Sequence, residues 1–261
     1  MKYGFIGCGN MGGAIARALS RSTKDILIYN YNQKAALLAE ELGCCLADNI
    51  TVAEKCERIF LGVKPQVMMR ALEPIAEILA RRKPLIITMA AGIEIQQLEQ
   101  MIGTHLPVIR IMPNTPVSVG KGMIVYCHNA LVGKDDIDSF LEDMRFAGTL
   151  DHLDEKLIDA ASALSGSGPA YLYLFLEAMA DGAVACGIPR HKAIAYAAAT
   201  MEGAAQMVTT TGEHPGVLKD AVCSPGGSTI EGIHALEDKG FRGAVMDCII
   251  AAYKKNKELG K

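Results

Sequence analysis

The chain has 261 residues, of which 50% are apolar and 21% charged, and a formal net charge of -3. That balance belongs to a globular protein of one large or two modest domains. It excludes a nucleic-acid or membrane-surface binder that relies on bulk charge. The eight scattered cysteines lack C-x-x-C spacing and read as reduced thiols in a cytoplasmic protein, with no metal site expected. Tryptophan is absent and aromatic residues make up only 5%, which favours close helix packing over an aromatic-rich sandwich.

Tyr3–Ile6 reads as a strand so close to the N-terminus that no signal or transit peptide is expected. Gly12–Ser20 follows as a helix, Ile26–Tyr29 as a strand and Lys34–Leu42 as a second helix. Arg58–Val63 is a third strand, Val67–Ala80 a helix and Leu85–Thr88 a fourth strand. Ile93–Met101 is helical, Val108–Met112 and Gly122–Tyr126 are strands, and Asp135–Arg145 is the last helix of this half. This βαβα rhythm predicts an α/β domain over residues 1–152, built on a doubly wound, mostly parallel Rossmann-type sheet.

From Asp154 onward the strand signal disappears. Pro169 to Cys186 reads as one helix, with Pro169 at its first position and Gly187 at its end. Its length approaches a membrane span, but Glu177 and Asp181 interrupt it, so a buried core helix is expected. Pro189 opens another helix through the Ala195–Met207 stretch. Helices apolar nearly all round need cover on every side. Residues 153–261 are too few to supply it, so an all-α dimerisation domain is expected, with a homodimer as the minimal unit.

The first βα turn carries chemistry. Gly7-Cys8-Gly9-Asn10-Met11-Gly12, entered from Ile6, is G-x-G-x-x-G in the strand–turn–helix setting of a dinucleotide site. At the end of the second strand stand Asn30 and Tyr31. No carboxylate there repels a 2′-phosphate and Lys34 is close by, which favours NADP (NADPH) and leaves NAD (NADH) open. Two further loops leave strand ends on the same side: Val63-Lys64-Pro65 after Gly62, and Met89-Ala90-Ala91-Gly92. Their small residues suit a nicotinamide ribose, although ordinary βα turns look the same. Asn114, in the turn Met112–Pro116, falls near the reacting ring.

A second anion site is suggested at Ser224-Pro225-Gly226-Gly227-Ser228-Thr229. Ser228 followed by Glu231 reads as a capping box, so a helix should begin near Thr229. Free N–H groups at its start would hold a carboxylate or phosphate, with the Thr229 hydroxyl beside it. An ordinary loop-to-helix junction accounts for the same residues.

Together these pieces resemble pyrroline-5-carboxylate reductases over nearly the whole chain. The resemblance rests on F-I-G-C-G-N-M-G at Phe5–Gly12, V-K-P at Val63–Pro65, A-A-G at Ala90–Gly92 and M-P-N-T-P at Met112–Pro116. It rests equally on L-S-G-S-G-P-A-Y at Leu164–Tyr171, H-P-G-x-L-K-D at His214–Asp220 and S-P-G-G-S-T-I-E-G at Ser224–Gly232. It implies NAD(P)H-dependent reduction of L-1-pyrroline-5-carboxylate to L-proline, the last step of proline biosynthesis, in a homo-oligomer with an interleaved helical domain. It places the substrate carboxylate against Gly226, Gly227 and Ser228, within the block that Ser224 opens, and turns the catalytic Thr229 hydroxyl toward the ring nitrogen. It also places Glu155 and Glu213 near the substrate and Asn49 on the nucleotide ribose. Ala221 departs from the Asn or Gln common at its position.

Two rivals share parts of this pattern. A β-hydroxyacid dehydrogenase would use a helix-borne lysine, with Lys192 and Lys219 as candidates. A non-catalytic NADP sensor would need no second anion site. The serine and glycine run at Ser165–Gly168 reads as a helix-start loop, and His214 and His234 as loop or helix-surface residues.

Overall fold

The computed structural model describes residues 1–29 and 34–259. Eight short strands form one sheet: β1 (Tyr3–Ile6), β2 (Ile26–Tyr29), β3 (Cys45–Leu46), β4 (Arg58–Leu61), β5 (Leu85–Thr88), β6 (Val108–Met112), β7 (Gly122–His128) and β8 (Gly148–His152). Their order is β3-β2-β1-β4-β5-β6-β7-β8, and every neighbouring pair is parallel except β6 with β7. The order reverses at β1, which lies between β2 and β4. In such sheets ligands bind beyond the carboxyl ends of the strands, at this switch point.

Continuous apolar runs such as Y-G-F-I and L-I-I-T are buried along their whole length, as strands covered on both faces must be. One apolar layer holds Phe5, Ile28, Phe60, Ile109 and Phe140, with Phe5 and Phe60 stacked at 4.6 Å between ring centroids. The opposite layer holds Ile6, Ile59, Leu61, Ile86 and Val108. The period-two alternation of side chains along each strand sends neighbours to opposite layers.

Four features depart from the sequence reading. The helix expected over Val67–Ala80 is broken into Met68–Leu72 and Ala76–Arg82. Pro74 sits in the gap, where it lacks an N–H and its ring would strike the preceding turn. Strand β3 and the helix Asn49–Lys55 fill the stretch before Arg58. After Lys134–Met144, the last helix before residue 152, an unexpected strand β8 follows and pairs in parallel with β7. The run at Ser165–Gly168 is not a loop: Ser162–Gly166 forms one wide π-type turn between the helical segments Ile158–Ala161 and Gly168–Ala185.

The chain divides into two compact units. The first is Met1–Ser167 together with the chain from Ala252 on, and the second is Gly168–Ala251. The first therefore runs past the 152/153 division read from the sequence. The reason is packing: Ile158 is fully buried in the second apolar layer, and Arg110 on β6 holds Glu155 and Asp159. The second unit consists of helices Gly168–Ala185, Arg190–Thr211, Pro215–Val222, Ser228–Asp238 and most of Phe241–Leu259. The helix expected to be buried is not buried within its own chain, where Ala180 is its one buried residue. No helix of the described residues is long and apolar enough to cross a membrane.

Candidate active site

The turn after β1 is shaped by close backbone approach. Gly7 has φ 97°, a conformation that L side chains avoid. A Cβ on either Gly12 or Gly62 would strike the Gly7 carbonyl oxygen, so the loops after β1 and β4 pack backbone to backbone. Gly9 differs, since a Cβ there would enter open space. Gly9 caps the helix Asn10–Leu19 without any side-chain hydrogen bond, and its first turn carries no acidic residue. The first N–H of this turn to find a backbone acceptor is that of Gly13, which donates to the Gly9 carbonyl at 2.8 Å. The amides of Asn10, Met11 and Gly12 are left for a ligand at the positive end of the helix dipole. This cradle fits a dinucleotide pyrophosphate. Burial pushes the Cys8 thiol up to about 12, so it stays neutral and adds no charge to the cradle.

The other predicted cofactor residues lie at strand ends on the same side of the sheet. Val63, Lys64 and Pro65 follow β4, with Lys64 exposed. Met89 to Gly92 follow β5, with Ala90 buried and Gly92 at φ 75°. Asn49 begins the helix after β3, capped by Asp48, which accepts the Thr51 N–H at 2.6 Å. Asn30 and Tyr31 lie outside the described residues. Asn114 is held by protein hydrogen bonds at both ends of its amide. It is 8% exposed, its Oδ1 accepts the Met123 N–H at 2.9 Å and its Nδ2 donates to the Ser165 carbonyl at 3.0 Å. These bonds hold the Asn114 amide between β7 and the π-type turn, and its second Nδ2 hydrogen is not used by either of them.

In the second unit the turn ahead of Ser228 is tight. Gly226 has φ 68°, and the Gly227 N–H donates to the Ser224 carbonyl at 3.0 Å. A Cβ on Gly227 would collide with the Ser224 hydroxyl. The capping box does not form: Gly227 is the cap, Ser228 is the first helical residue and no side chain bonds back to the turn. Glu231 thus falls one position too late to close a box. The Gly227 N–H is already engaged, so the amides of Ser228 and Thr229 are the ones open to a carboxylate. Thr229 is half-buried and Ser224 exposed. Glu213 is exposed in the loop before Pro215, its N–H donating to the Thr211 hydroxyl at 3.2 Å. The His214 ring caps its own helix, accepting the Gly216 N–H at 3.1 Å.

Glu155 is occupied within the first unit. Its Oε1 accepts the Ile95 N–H at 2.8 Å and an Arg110 N–H at 3.2 Å. Arg110 and its second partner, Asp159, went unread in the sequence. The signal was present: V-I-R-I-M sets one charge inside an apolar strand, where it must be paired. Of the lysines a hydroxyacid dehydrogenase would need, Lys219 is held above its usual range by a hydrogen bond to Asp220, which opposes a role as base.

A family model described as pyrroline-5-carboxylate reductase dimerisation matches residues 155–259. Another, described as NADP oxidoreductase, coenzyme F420-dependent, matches residues 2–92. The pyrroline-5-carboxylate reductase of Escherichia coli is 42% identical, over 100% of this chain and 98% of its own. That of Pisum sativum is 40% identical, over 98% and 95%. The crystal structure of Plasmodium falciparum pyrroline carboxylate reductase with NADP bound matches at a TM-score of 0.90 and 32% identity, covering 100% of this chain and 98% of that one. The chain belongs to the pyrroline-5-carboxylate reductase family.

Proposed function

We propose that this member of the pyrroline-5-carboxylate reductase family reduces L-1-pyrroline-5-carboxylate to L-proline with NADPH, as a cytoplasmic homodimer or larger homo-oligomer. The observation that carries the reading is a pair of uncapped helix starts opened by glycines, at Gly9–Asn10 and at Gly227–Ser228. One suits the pyrophosphate of a dinucleotide and the other the carboxylate of a small acid. A non-catalytic nucleotide sensor has no use for the second.

Gly7 to Gly12 cradle the pyrophosphate, with Ile6 buried beneath them. Asn49 serves the ribose, and Val63–Pro65 and Met89–Gly92 line the nicotinamide end. The reduced nicotinamide, when bound, supplies the hydride. The protein's task is to hold a cyclic imine in a fixed pose and favour its protonated nitrogen. The Ser228 and Thr229 amides bind the carboxylate, and Gly226 and Gly227 leave room for it. Fixing the ring this way is worth on the order of 7–11 kcal/mol of barrier in well-ordered cases. The Thr229 hydroxyl accepts from the iminium N–H and orients it. An unactivated hydroxyl is a weak acid, so Thr229 relays a proton drawn from water and does not supply it outright. Glu213 adds negative charge on the loop before Pro215, favouring the cationic ring.

The test is to mix the purified protein with racemic pyrroline-5-carboxylate and follow the loss of reduced-nicotinamide absorbance with NADPH and with NADH. Consumption of half the racemate with proline as product is expected. Oxidation of hydroxyacids without imine reduction would replace this reading with the dehydrogenase one.

A further inference from the structure

Arg110 is the largest fully buried side chain of the described residues, 1% exposed in an otherwise apolar strand. A buried guanidinium is costly unless its charge and donors are met. One terminal nitrogen donates to Glu155 at 3.2 Å and the other to Asp159 at 3.3 Å, while Nε is buried without a partner. The two carboxylates lead onward. Glu155 also accepts the Ile95 N–H, at the first residue of the helix that ends the loop after β5. The Asp159 backbone carbonyl accepts from Asn256 at 3.0 Å, three residues before the wide turn at Ser162–Gly166. Asp159, Ser162 and Asn256 line one narrow crevice with Ala91, Gly92 and Met112.

We propose that Arg110 is a positioning residue for the reaction: through Glu155 it fixes the Met89–Gly92 loop against the nicotinamide end of the cofactor, and through Asp159 it fixes the segment entering the π-type turn to that same loop. The inference rests on the assignment of Met89–Gly92 to the cofactor. A fork that meets two carboxylates four residues apart holds orientation as well as distance, which a lysine cannot reproduce. The Gly7–Gly12 pyrophosphate cradle, and with it the adenine half of the dinucleotide, lies outside this network.

Three variants of the full oligomer test the assignment: Arg110→Met, Arg110→Lys and Glu155→Gln. The last keeps an oxygen for the Ile95 N–H but loses the charged partner, and it stands in if Arg110→Met does not fold. The probes are NADPH, 2′,5′-ADP as the adenine half alone, and hydrogen exchange of the ligand-free protein across residues 89–98. The expected result is NADPH binding weakened on the order of tenfold. Binding of 2′,5′-ADP should stay within about twofold, as for a distant site. Exchange at the Ile95 amide should be faster, and the deuterium isotope effect on turnover with 4-deuterated NADPH larger. Arg110→Lys should fall between wild type and Arg110→Met. A merely structural role would lower the folded fraction and leave the NADPH to 2′,5′-ADP affinity ratio and the isotope effect unchanged; either unchanged value in a folded variant overturns the proposal. Wild-type protein that binds NADPH but reduces no pyrroline-5-carboxylate defeats the functional reading alone, since the affinity ratio still tests Arg110. Wild-type protein that binds no NADPH overturns both.

Discussion

The two units bury their apolar residues in opposite ways. In the first, β1, β5 and β6 are covered on both faces, and Tyr3, Phe5, Phe60 and Phe140 are wholly enclosed. In the second, the buried apolar residues are Ala180, Ala193 and Ala197, while Leu174 is 69% exposed and Val222 66%. Tyr173, Leu172, Val245 and Met246 are exposed as well. One unit completes its own core. The other presents long helices apolar on several sides, with large side chains left in the open. The pyrroline-5-carboxylate reductase dimerisation model matches this unit, and the homo-oligomer proposed above would cover these helices. The glycine turn after β1 therefore sits on self-sufficient scaffolding, and the turn ahead of Ser228 sits on helices that bury little of their own apolar surface.

The sharpest way to break that contrast is a charge on the exposed helix face. Leu174→Asp should abolish assembly in sedimentation velocity and remove nearly all turnover, while strand content by circular dichroism persists. A fully active assembled variant would defeat the account of the second unit. Next in size is Thr229→Ala, expected to lower kcat on the order of 100-fold with NADPH affinity unchanged in calorimetry. Unchanged turnover would remove Thr229 from the mechanism.

Within the first unit, two glycines separate scaffold from site. Gly12→Ala sets a methyl against the Gly7 carbonyl, which should cost about 1–3 kcal/mol of stability. Gly9→Ala meets no protein atom, so its thermal midpoint should stay at the wild-type value while NADPH binding weakens. Equal stability losses for the two would contradict this division.

The smallest effect is expected at the start of β1, the end opposite the Gly7–Gly12 turn. Tyr3 donates a buried hydrogen bond to Asp143 at 2.7 Å, and Lys2 pairs with the same carboxylate at 2.6 Å. Burial pushes Asp143 upward, but the hydrogen bonds from Lys2 and Tyr3 outweigh it and hold the carboxyl below its usual range. Burial and the neighbouring Asp143 push the Tyr3 hydroxyl well above its own usual value. Tyr3→Phe should cost about 1–2 kcal/mol near neutral pH without changing kcat. A depressed carboxyl stabilises the fold above its unfolded value of about 3.9, and that contribution is lost as pH falls through the lower folded value. The gap between wild type and Tyr3→Phe in urea unfolding should narrow over that acid range.

The sequence disclosed what depends on period and on glycine. Strands β1, β2, β5 and β6, the cofactor loop and the change of character after residue 154 were all legible in apolar runs and turn residues. Elements fixed by tertiary contact were not. Cys45–Leu46 is too short to show alternation, and β8 reads G-T-L-D-H, a polar stretch recognisable as a strand only once it pairs with β7. The S-x-x-E spacing at Ser228 and Glu231 suggested a box that a cap at Gly227 displaces by one residue. Asn114 and Glu155 were singled out as ligand contacts, and their protein partners were not foreseen. Their hydrogen bonds run to Met123, Ser165, Ile95 and Arg110, partners that become neighbours only through the fold.

The central claim is that the two uncapped helix starts serve one reaction. A crystal structure with oxidised NADP and L-proline both bound tests it most directly. The account predicts the pyrophosphate on the Asn10 and Met11 amides, the proline carboxylate on the Ser228 and Thr229 amides, and the proline ring against the nicotinamide. Two ligands in cavities too far apart to exchange a hydride would contradict it.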